Sequence, residues 1–282
     1  MTELSPPSVL VTGAASGLGE AMARLFAGQG YRVAVCDIDE ARAQSVHQAL
    51  ESLTPGGFFQ ALDVRETADW DAAYQRVLTE WGQLNVLVNN AGVAAAGNCE
   101  DTTLDDWRWV IDIDLMGVVY GCHRFIPLLR ETASRDSERC HVVNVSSFAG
   151  LARIPGMSAY GTAKAAVIAL SEQLRAELHD AGVGVSVVCP AFVKTRLLEN
   201  FRAADPAHRD RVARWMAQSN VSAEDVARQT LAAIEQGRFM VLTHPLTRRA
   251  WRLRRWFPEF YFRQVIRRSR SQPRVNHEEQ AA

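Results

Sequence analysis

The sequence predicts an α/β fold in which a parallel sheet is covered by helices. Short apolar runs, each long enough for one strand, alternate with longer segments whose apolar residues recur every three or four positions. A glycine-rich turn follows the first apolar run, and polar residues follow several of the others. This alternation implies parallel strands joined by right-handed crossovers through helices.

Length and composition indicate an ordinary globular protein. The 282 residues predict one main domain, 1–243, followed by an extension of different composition, 244–282. A formal net charge of -1 argues against nucleic acid as a partner. Five cysteines without a C-x-x-C pair are typical of buried side chains in a reducing compartment, and seven histidines without ligand spacing argue against a metal. The first seven residues lack the features of a signal peptide, so we expect a cytoplasmic protein.

The first strand, Ser8–Thr12, runs into a turn that contains Gly13, Gly17 and Gly19, and a helical pattern begins at once. A strand, a glycine turn and a helix N-terminus together direct backbone N–H groups at a pyrophosphate. A plain tight turn has the same composition, so this motif alone leaves both interpretations open.

The second strand, 31–36, ends at Asp37. A carboxylate at this place accepts hydrogen bonds from both hydroxyls of an adenosine ribose and repels a 2′-phosphate, which predicts NAD rather than NADP. The alternative is that Asp37 caps the next helix, since Asp39 and Glu40 follow it.

Two more strands, 57–62 and 84–88, are followed by Asp63 and Val64 and by the run 89–92. The side-chain amides of Asn89 and Asn90 serve either the strand end or a ligand. A long helix is then predicted from Leu104 to about Leu129. Asp114 lies among apolar neighbours within it. Because buried carboxylates are rare without a partner, we expect Asp114 to be paired, protonated or functional.

The next strand, 141–145, and the helix after it carry a candidate acid–base site. Ser147 closely follows the strand, while Tyr160 and Lys164 are four residues apart and share one face of the helix. A nearby ammonium stabilises a phenolate and brings the phenol into a useful pKa range. Residues 160–164 taken alone also fit a structural role, in which the ring of Tyr160 is half-buried and the amine of Lys164 is solvated.

A strand at 183–189 precedes a segment with a weak pattern, 196–220, which is a candidate substrate lid. Ser222 and Asp225 form a capping box that opens a helix ending near Gly237, and 239–242 is the last strand.

The C-terminal segment 246–270 is strongly basic. It contains nine arginines and one acid, Glu259, with six aromatic residues among them, and its net charge of +8 leaves -9 for the rest of the chain. This pattern predicts peripheral contact with an anionic membrane surface. The alternative is an arm that packs its aromatic rings on the core or on a neighbouring subunit. Residues 271–282 are polar, and we expect them to be disordered.

In this order and spacing, the motifs resemble the short-chain dehydrogenase/reductase family over about residues 8–242. The matching residues are Thr12, Gly13, Gly17, Gly19, Asp37, Asp63, Val64, Asn89, Asn90, Gly92, Ser147, Tyr160, Lys164, Pro190 and Thr195. The resemblance implies a three-layer Rossmann-type fold with a seven-stranded parallel sheet. It also implies an NAD-dependent oxidoreductase that interconverts an alcohol and its ketone by hydride transfer, working as a homodimer or homotetramer.

The same resemblance implies residue roles. Tyr160 would transfer the proton, Lys164 would lower its pKa and bind the nicotinamide ribose, and Ser147 would hold the substrate oxygen. Asp114 completes the catalytic set. The cofactor-binding set is Gly13, Ser16, Gly17, Leu18, Gly19, Asp37, Asp63, Val64, Asn90, Gly92, Tyr160, Lys164, Val193 and Thr195.

Two residues depart from the family pattern. Asp114 stands where an asparagine usually supports a proton relay to the lysine, so a carboxylate here should shift the titration of Lys164 and Tyr160. Ala191 replaces a common glycine after Pro190 and adds a methyl group near the nicotinamide, which we expect to be tolerated.

An apolar secondary alcohol or ketone is the predicted substrate, because the residues expected to face the pocket cannot compensate a charged group. These residues are Phe148, Leu151, Ile154, Met157, Phe192 and Leu198, with Arg153 as the one nearby arginine. The alternative is a non-catalytic NAD-binding or membrane-surface interaction protein that keeps the same fold.

Overall fold

The computed structural model describes residues 6–136, 140–203 and 205–270. A seven-stranded parallel sheet lies at its centre, and helices cover both faces. The predicted fold class is therefore confirmed. Residues 1–5 lie outside the described residues, so they do not test the expectation that the chain starts without a signal peptide. Residues 271–282, for which disorder is predicted, also lie outside them.

The order of strands in the sheet is β3-β2-β1-β4-β6-β7-β9, and every neighbouring pair is parallel. All seven predicted strands are present. Two short strands that the sequence did not predict, β5 and β8, form a separate parallel pair. The bounds are β1 (Ser8–Thr12), β2 (Arg32–Asp37), β3 (Phe58–Ala61), β4 (Val86–Asn89), β5 (Ala95–Ala96), β6 (Cys140–Val145), β7 (Val183–Val188), β8 (Arg202–Ala203) and β9 (Met240–Val241).

Eleven α-helices lie in the described residues, together with a π-helical segment, Asp112–Met116, and a 3₁₀ turn, Arg196–Leu198. The bounds are α1 (Gly17–Gly28), α2 (Glu40–Glu51), α3 (Thr67–Glu80), α4 (Leu104–Ile111), α5 (Gly117–Asp136), α6 (Phe148–Ala152), α7 (Ser158–Glu177), α8 (Pro206–Ala217), α9 (Ala223–Glu235), α10 (Pro245–Trp256) and α11 (Pro258–Arg270).

The prediction of one helix from Leu104 to about Leu129 is wrong in two respects. The π-helical segment separates α4 from α5, and α5 continues past Pro127 to Asp136. Proline normally weakens a helix because it removes one N–H donor. Here the neighbouring residues Phe125, Leu128 and Leu129 are buried against the sheet, and this packing supports the helix on both sides of the proline.

The strand β1 shows why the two faces of the sheet are both covered. Val9 and Val11 pack on the side of α1 and α9, while Leu10 packs on the opposite side with Trp70 and Phe125. All five residues of β1 are buried. A parallel strand that is buried on both faces is expected to be apolar throughout, and this is what made the strand visible in the sequence.

The candidate lid contains more regular structure than its weak sequence pattern indicated. Segment 196–220 includes the 3₁₀ turn, β8 and α8. Arg202 in β8 pairs with Ala95 in β5, and its guanidinium contacts the carboxylate of Asp106 at 3.0 Å. The lid is thereby attached to the loop that follows β4 and to α4.

The basic segment forms α10 and α11, and α10 packs against α6. The predicted capping box at the start of α9 is confirmed, because Ser222 and Asp225 each accept a hydrogen bond from the other's backbone N–H. None of the described helices is long and apolar enough to cross a membrane.

Candidate active site

A cavity of about 710 Å³ lies along the carboxyl ends of the sheet strands. Each strand from β1 to β7 in the main sheet contributes residues that follow its last position. The predicted cofactor-binding residues all lie on the wall of this cavity, namely Gly13, Ser16, Gly17, Leu18, Gly19, Asp37, Asp63, Val64, Asn90, Gly92, Tyr160, Lys164, Val193 and Thr195. Ser147 lies there as well, whereas Asp114 is fully buried behind the wall.

The glycine turn after β1 forms a cradle that side chains would fill. A Cβ atom placed on Gly19 would lie 2.0 Å from the carbonyl oxygen of Gly13, so only glycine fits. The side-chain amide of Asn90 donates to the carbonyls of Thr12 at 2.8 Å and Gly13 at 3.2 Å. Asn90 therefore holds the turn in place, and the exposed backbone at the start of α1 suits a pyrophosphate.

Asp37 connects the end of β2 to the glycine turn. Its Oδ2 accepts a hydrogen bond from the Ala15 N–H at 2.9 Å, and its Oδ1 accepts one from the Asp39 N–H at 3.0 Å. The helix cap of α2 is Asp39, whose side chain accepts from the Arg42 N–H. The alternative that Asp37 caps this helix is therefore wrong, and its carboxylate lies on the cavity wall.

Residues after β3 and β7 complete the end of the cavity that holds the glycine turn. Hydrogen bonds from Arg65 hold the pKa of the Asp63 carboxyl below its usual range. Val64 is buried, and its carbonyl accepts a hydrogen bond from the Trp70 indole at 3.0 Å. Thr195 lies directly across the glycine turn, since a Cβ atom on Gly17 would meet the Thr195 Cβ at 3.0 Å. These residues form the wall of the cavity around the glycine turn.

Ser147, Tyr160 and Lys164 come together as the sequence predicted. Ser147 caps α6, and its Oγ accepts from the Ala149 N–H at 3.1 Å. It also forms a side-chain hydrogen bond with Tyr160. The Lys164 Nζ lies 5.8 Å from the centre of the Tyr160 ring and donates to the Val145 carbonyl at 3.2 Å. A hydroxyl, a phenol and an ammonium thus share one wall.

Asp114 is the buried partner of this lysine. Its Oδ1 accepts from the Val93 N–H at 2.8 Å, and its Oδ2 lies 3.4 Å from the Lys164 Nζ. Burial raises the pKa of the Asp114 carboxyl, and the charge of Lys164 opposes that rise. A Cβ atom on Gly92 would lie 3.0 Å from Asp114 Oδ1 and 3.1 Å from Lys164 Nζ. A larger residue at this position would therefore crowd the pair.

The balance of charge around Tyr160 differs from the expectation that the lysine dominates. Burial raises the pKa of the Tyr160 phenol, and the negative charge of Asp114 raises it further. The hydrogen bond with Ser147 lowers it. Because burial is the largest contribution and the charge of Asp114 adds to it, the net shift of the phenol pKa is upward.

The other end of the cavity is mostly apolar. Phe148, Ile154, Met157 and Phe192 line it as predicted. Leu151 does not, because it packs with Val187 and Trp251 on the far side of α6. Leu197 occupies the wall in place of Leu198, and Arg153 is exposed. Ala191 lines the cavity, and its N–H donates to His244 Nδ1 at 3.3 Å.

Several apolar wall residues were missed at the level of sequence. They come from the loop after β4, from the α4 region and from the lid, where the pattern is too irregular to indicate which side chains face inward. They are Val93, Ala94, Trp109, Ile113, Leu197, Phe201, Val212 and Met216. For the four lid residues, the only signal was the scatter of apolar residues through that segment.

No three His, Cys, Asp or Glu side chains in the described part of the chain are grouped so that they would hold a metal ion. Four of the five cysteines are buried, Cys99 is exposed, and all five are free thiols.

Comparisons with known proteins identify the family of this chain. The family model described as short chain dehydrogenase matches residues 7–206. The probable oxidoreductase EphD of Mycobacterium tuberculosis is 40% identical over 192 residues, which cover 67% of this chain but 31% of that protein. The cyclohexanol dehydrogenase of an Acinetobacter species is 33% identical over 197 residues, covering 70% of this chain and 76% of that protein.

A solved structure extends the likeness to three dimensions. The short chain dehydrogenase/reductase of Burkholderia phymatum, crystallised in complex with NAD, superposes with a TM-score of 0.83 at 32% identity. The match covers 92% of this chain and 96% of that chain. The likeness therefore extends beyond the sheet to nearly the whole chain.

The Asp114→Asn substitution tests the balance of charge at this site. We expect the pKa of the Tyr160 phenol to fall, because the carboxylate that raises it is replaced by a neutral amide that can still accept from the Val93 N–H. The measurement is an NMR titration of tyrosines labelled with ¹³C at Cζ. Asp112→Asn is the matched control, since it removes the same charge from an exposed side chain in the same helical segment. A Tyr160 pKa that is unchanged or higher in Asp114→Asn contradicts this account.

Proposed function

The chain belongs to the short-chain dehydrogenase family, and we propose that it interconverts an apolar secondary alcohol and its ketone with NAD, using Tyr160 as the acid and base. The observation that carries the proposal is the phenol of Tyr160, which is hydrogen-bonded to Ser147 on the wall of a cavity that also contains the glycine turn and an apolar end. An NAD(P)-dependent oxidoreductase of this family needs these three features together.

The residues that fit the dinucleotide lie along one groove. The glycine turn before α1 suits the pyrophosphate, the carboxylate of Asp37 suits the adenosine ribose, and Asp63 and Val64 would flank the adenine. When bound there, the oxidised cofactor NAD would accept a hydride from an alcohol, and the reduced cofactor NADH would donate one to a ketone. Asn90 supports this groove indirectly, because its amide is used to hold the turn.

The proton chemistry belongs to the chain itself. Tyr160 would take the hydroxyl proton during oxidation and return a proton to the carbonyl oxygen during reduction. Ser147, which already forms a hydrogen bond with Tyr160, would hold the same substrate oxygen. The ammonium of Lys164 would stabilise the phenolate, and Asp114 would act as a positioning residue through its contact with that ammonium.

An apolar substrate is supported by the lining of the second end of the cavity. The rings of Phe192 and Trp215 lie 5.0 Å apart, and Met157, Phe201 and Met216 belong to the same apolar cluster. Arg196 and Arg202 from the lid also line the cavity, and each pairs with a carboxylate, that of Glu199 at 3.5 Å and that of Asp106 at 3.0 Å respectively. A charged substrate group would lose its hydration here without gaining a partner. The relative that acts on cyclohexanol, an apolar secondary alcohol, is consistent with this substrate class.

NAD rather than NADP is supported by the position of Asp37. Its carboxylate lies on the cavity wall at the end of β2, where it would accept from ribose hydroxyls and repel a 2′-phosphate. The proposal also includes a homodimer or homotetramer and peripheral membrane contact through 246–270. A cytoplasmic location and the division of the chain at residue 243 stay predictions.

The Tyr160→Phe substitution tests the chemistry. We expect kcat for oxidation of a responsive secondary alcohol to fall by about 100-fold or more, because the proton carrier is removed while the ring remains. A panel of apolar secondary alcohols that includes cyclohexanol is assayed by NADH formation. Tyr74→Phe is the control, since Tyr74 packs on Phe125 away from the cavity.

Binding of NAD by Tyr160→Phe is measured by calorimetry in parallel and should match the parent protein. The alternative function, a non-catalytic NAD-binding protein, predicts that the parent binds NAD and yields no NADH from any alcohol in the panel. That result would exclude the enzymatic proposal.

The Asp37→Asn substitution tests the cofactor preference. The amide keeps one acceptor oxygen but loses the charge, so we expect the ratio of kcat/KM for NAD to kcat/KM for NADP to fall by about tenfold, which corresponds to about 1.4 kcal/mol. Asp39→Asn removes a neighbouring charge and preserves a good helix cap, and the ratio should change much less. A parent protein that already prefers NADP is incompatible with the role given to Asp37.

A further inference from the structure

Large apolar side chains are exposed mainly in one region, formed by α10, α11 and the turn between them, which we call the arm (245–270). Five residues of the arm are between 52% and 72% exposed, namely Leu246, Trp256, Phe257, Phe260 and Phe262. In the rest of the described chain, the comparably exposed large apolar residues are Ile38, Leu53 and Leu104, which are far apart in sequence. Four of the five arm residues fall within seven positions. Contiguous apolar exposure of this kind marks an interaction surface.

The same arm is rich in uncompensated positive charge. Arginines 248, 249, 252, 255, 263 and 267 are exposed, and the arm contains one acidic residue, Glu259. Among the side chains that the structure describes, no arginine of the arm forms a salt bridge. Along the sequence of the arm, these arginines are interleaved with the exposed aromatic residues.

The inner face of the arm is already used by the fold. The Arg254 guanidinium donates to the Leu151 carbonyl at 2.7 Å, and the Tyr261 hydroxyl donates to the Ala152 carbonyl at 2.9 Å. Trp251 packs with Leu151 in an apolar cluster. Packing on the protein's own core accounts for these side chains. It does not account for the rings of the arm that stay exposed.

We infer that the outer face of the arm docks on an anionic lipid bilayer. Aromatic rings bind at the depth of the headgroups, and guanidinium groups bind lipid phosphates, so the two kinds of side chain found here serve one surface. A second copy of this chain is a poor partner for the same face. It would bring one segment of net charge +8 against another, and like charges across a contact oppose association.

The arm is anchored on a helix that lines the cavity, so docking of the arm would connect the substrate end of the cavity to the lipid surface. Both anchors of the arm are carbonyls of α6, and α6 begins directly after Ser147. Its residues Phe148 and Ala149 line the cavity. This step, unlike the docking itself, rests on the proposed function. If that function holds, the substrate class is an apolar alcohol or ketone that partitions into the bilayer.

Flotation with vesicles tests the docking surface on the full chain. We expect the protein to float with vesicles of phosphatidylcholine and phosphatidylglycerol but not with phosphatidylcholine alone, and to be released by high salt because salt screens the arginines. Trp256→Ser/Phe260→Ser should weaken binding by about tenfold or more. Arg249→Glu/Arg252→Glu, which changes charge and leaves the rings, should do the same. Leu53→Ser/Leu104→Ser, which removes exposed apolar side chains outside the arm, should float like the parent protein.

Two further measurements separate the competing outcomes. Tyr160→Phe should float like the parent protein, because docking does not require turnover, so a failure of the proposed enzymatic function leaves this test intact. Thermal unfolding checks that each arm variant is folded. The inference is overturned if the parent protein does not float with anionic vesicles, or if both arm variants float as well as it does. A third result also overturns it: the parent protein does not bind vesicles, and Trp256→Ser/Phe260→Ser converts an oligomer into monomers in analytical ultracentrifugation. The exposed face would then be a contact between copies of the chain.

Discussion

A buried ammonium that needs a buried partner is the constraint on which this structure depends. Lys164 and Asp114 both lie out of water, and removing one member of such a pair typically costs about 3–5 kcal/mol because the other charge is left uncompensated. The pair therefore fixes α7 against the π-helical segment. Lys164 also donates to the Val145 carbonyl at the end of β6, so the same ammonium fixes this helix against the sheet. Gly92 leaves the space that the arrangement requires.

The π-helical segment explains how a carboxylate reaches this position from an otherwise amphipathic helical pattern. One extra residue in a turn changes the direction of the following side chains by about 100°. Asp114 can therefore turn inward while α4 and α5 keep their own apolar faces toward the protein. The Oδ1 atom of Asp114 accepts from the Val93 N–H in the loop after β4. One irregular turn thus joins that loop to Lys164 and sets the charge around Tyr160.

The strands and the polar residues that follow them were predictable for the same physical reason. A parallel strand buried on both faces is an apolar run, and the residue after it lies at the carboxyl edge whatever the details of packing, as for Asp37 and Ser147. The strands β5 and β8 have two residues each and pair across more than a hundred positions, so no local pattern marks them.

The assignment of Leu151 to the cavity was wrong for a different reason. One helical step rotates a side chain by about 100°, and the sequence does not determine which face of a five-residue helix is turned to the sheet.

The arm and the site share a junction that determines how their roles can be separated. The His244 imidazole, which precedes α10, accepts from the Ala191 N–H on the cavity wall. Cutting the chain after β9 would remove this acceptor, and it would also leave the carbonyls of Leu151 and Ala152 without the donors that the arm supplies. Truncation would therefore disturb the cavity even if the arm had no partner at all. Substitutions on the outer face avoid this difficulty, because the exposed rings and arginines make few contacts with the rest of the fold. The stability of the cavity and the affinity of the arm for a surface can therefore vary independently.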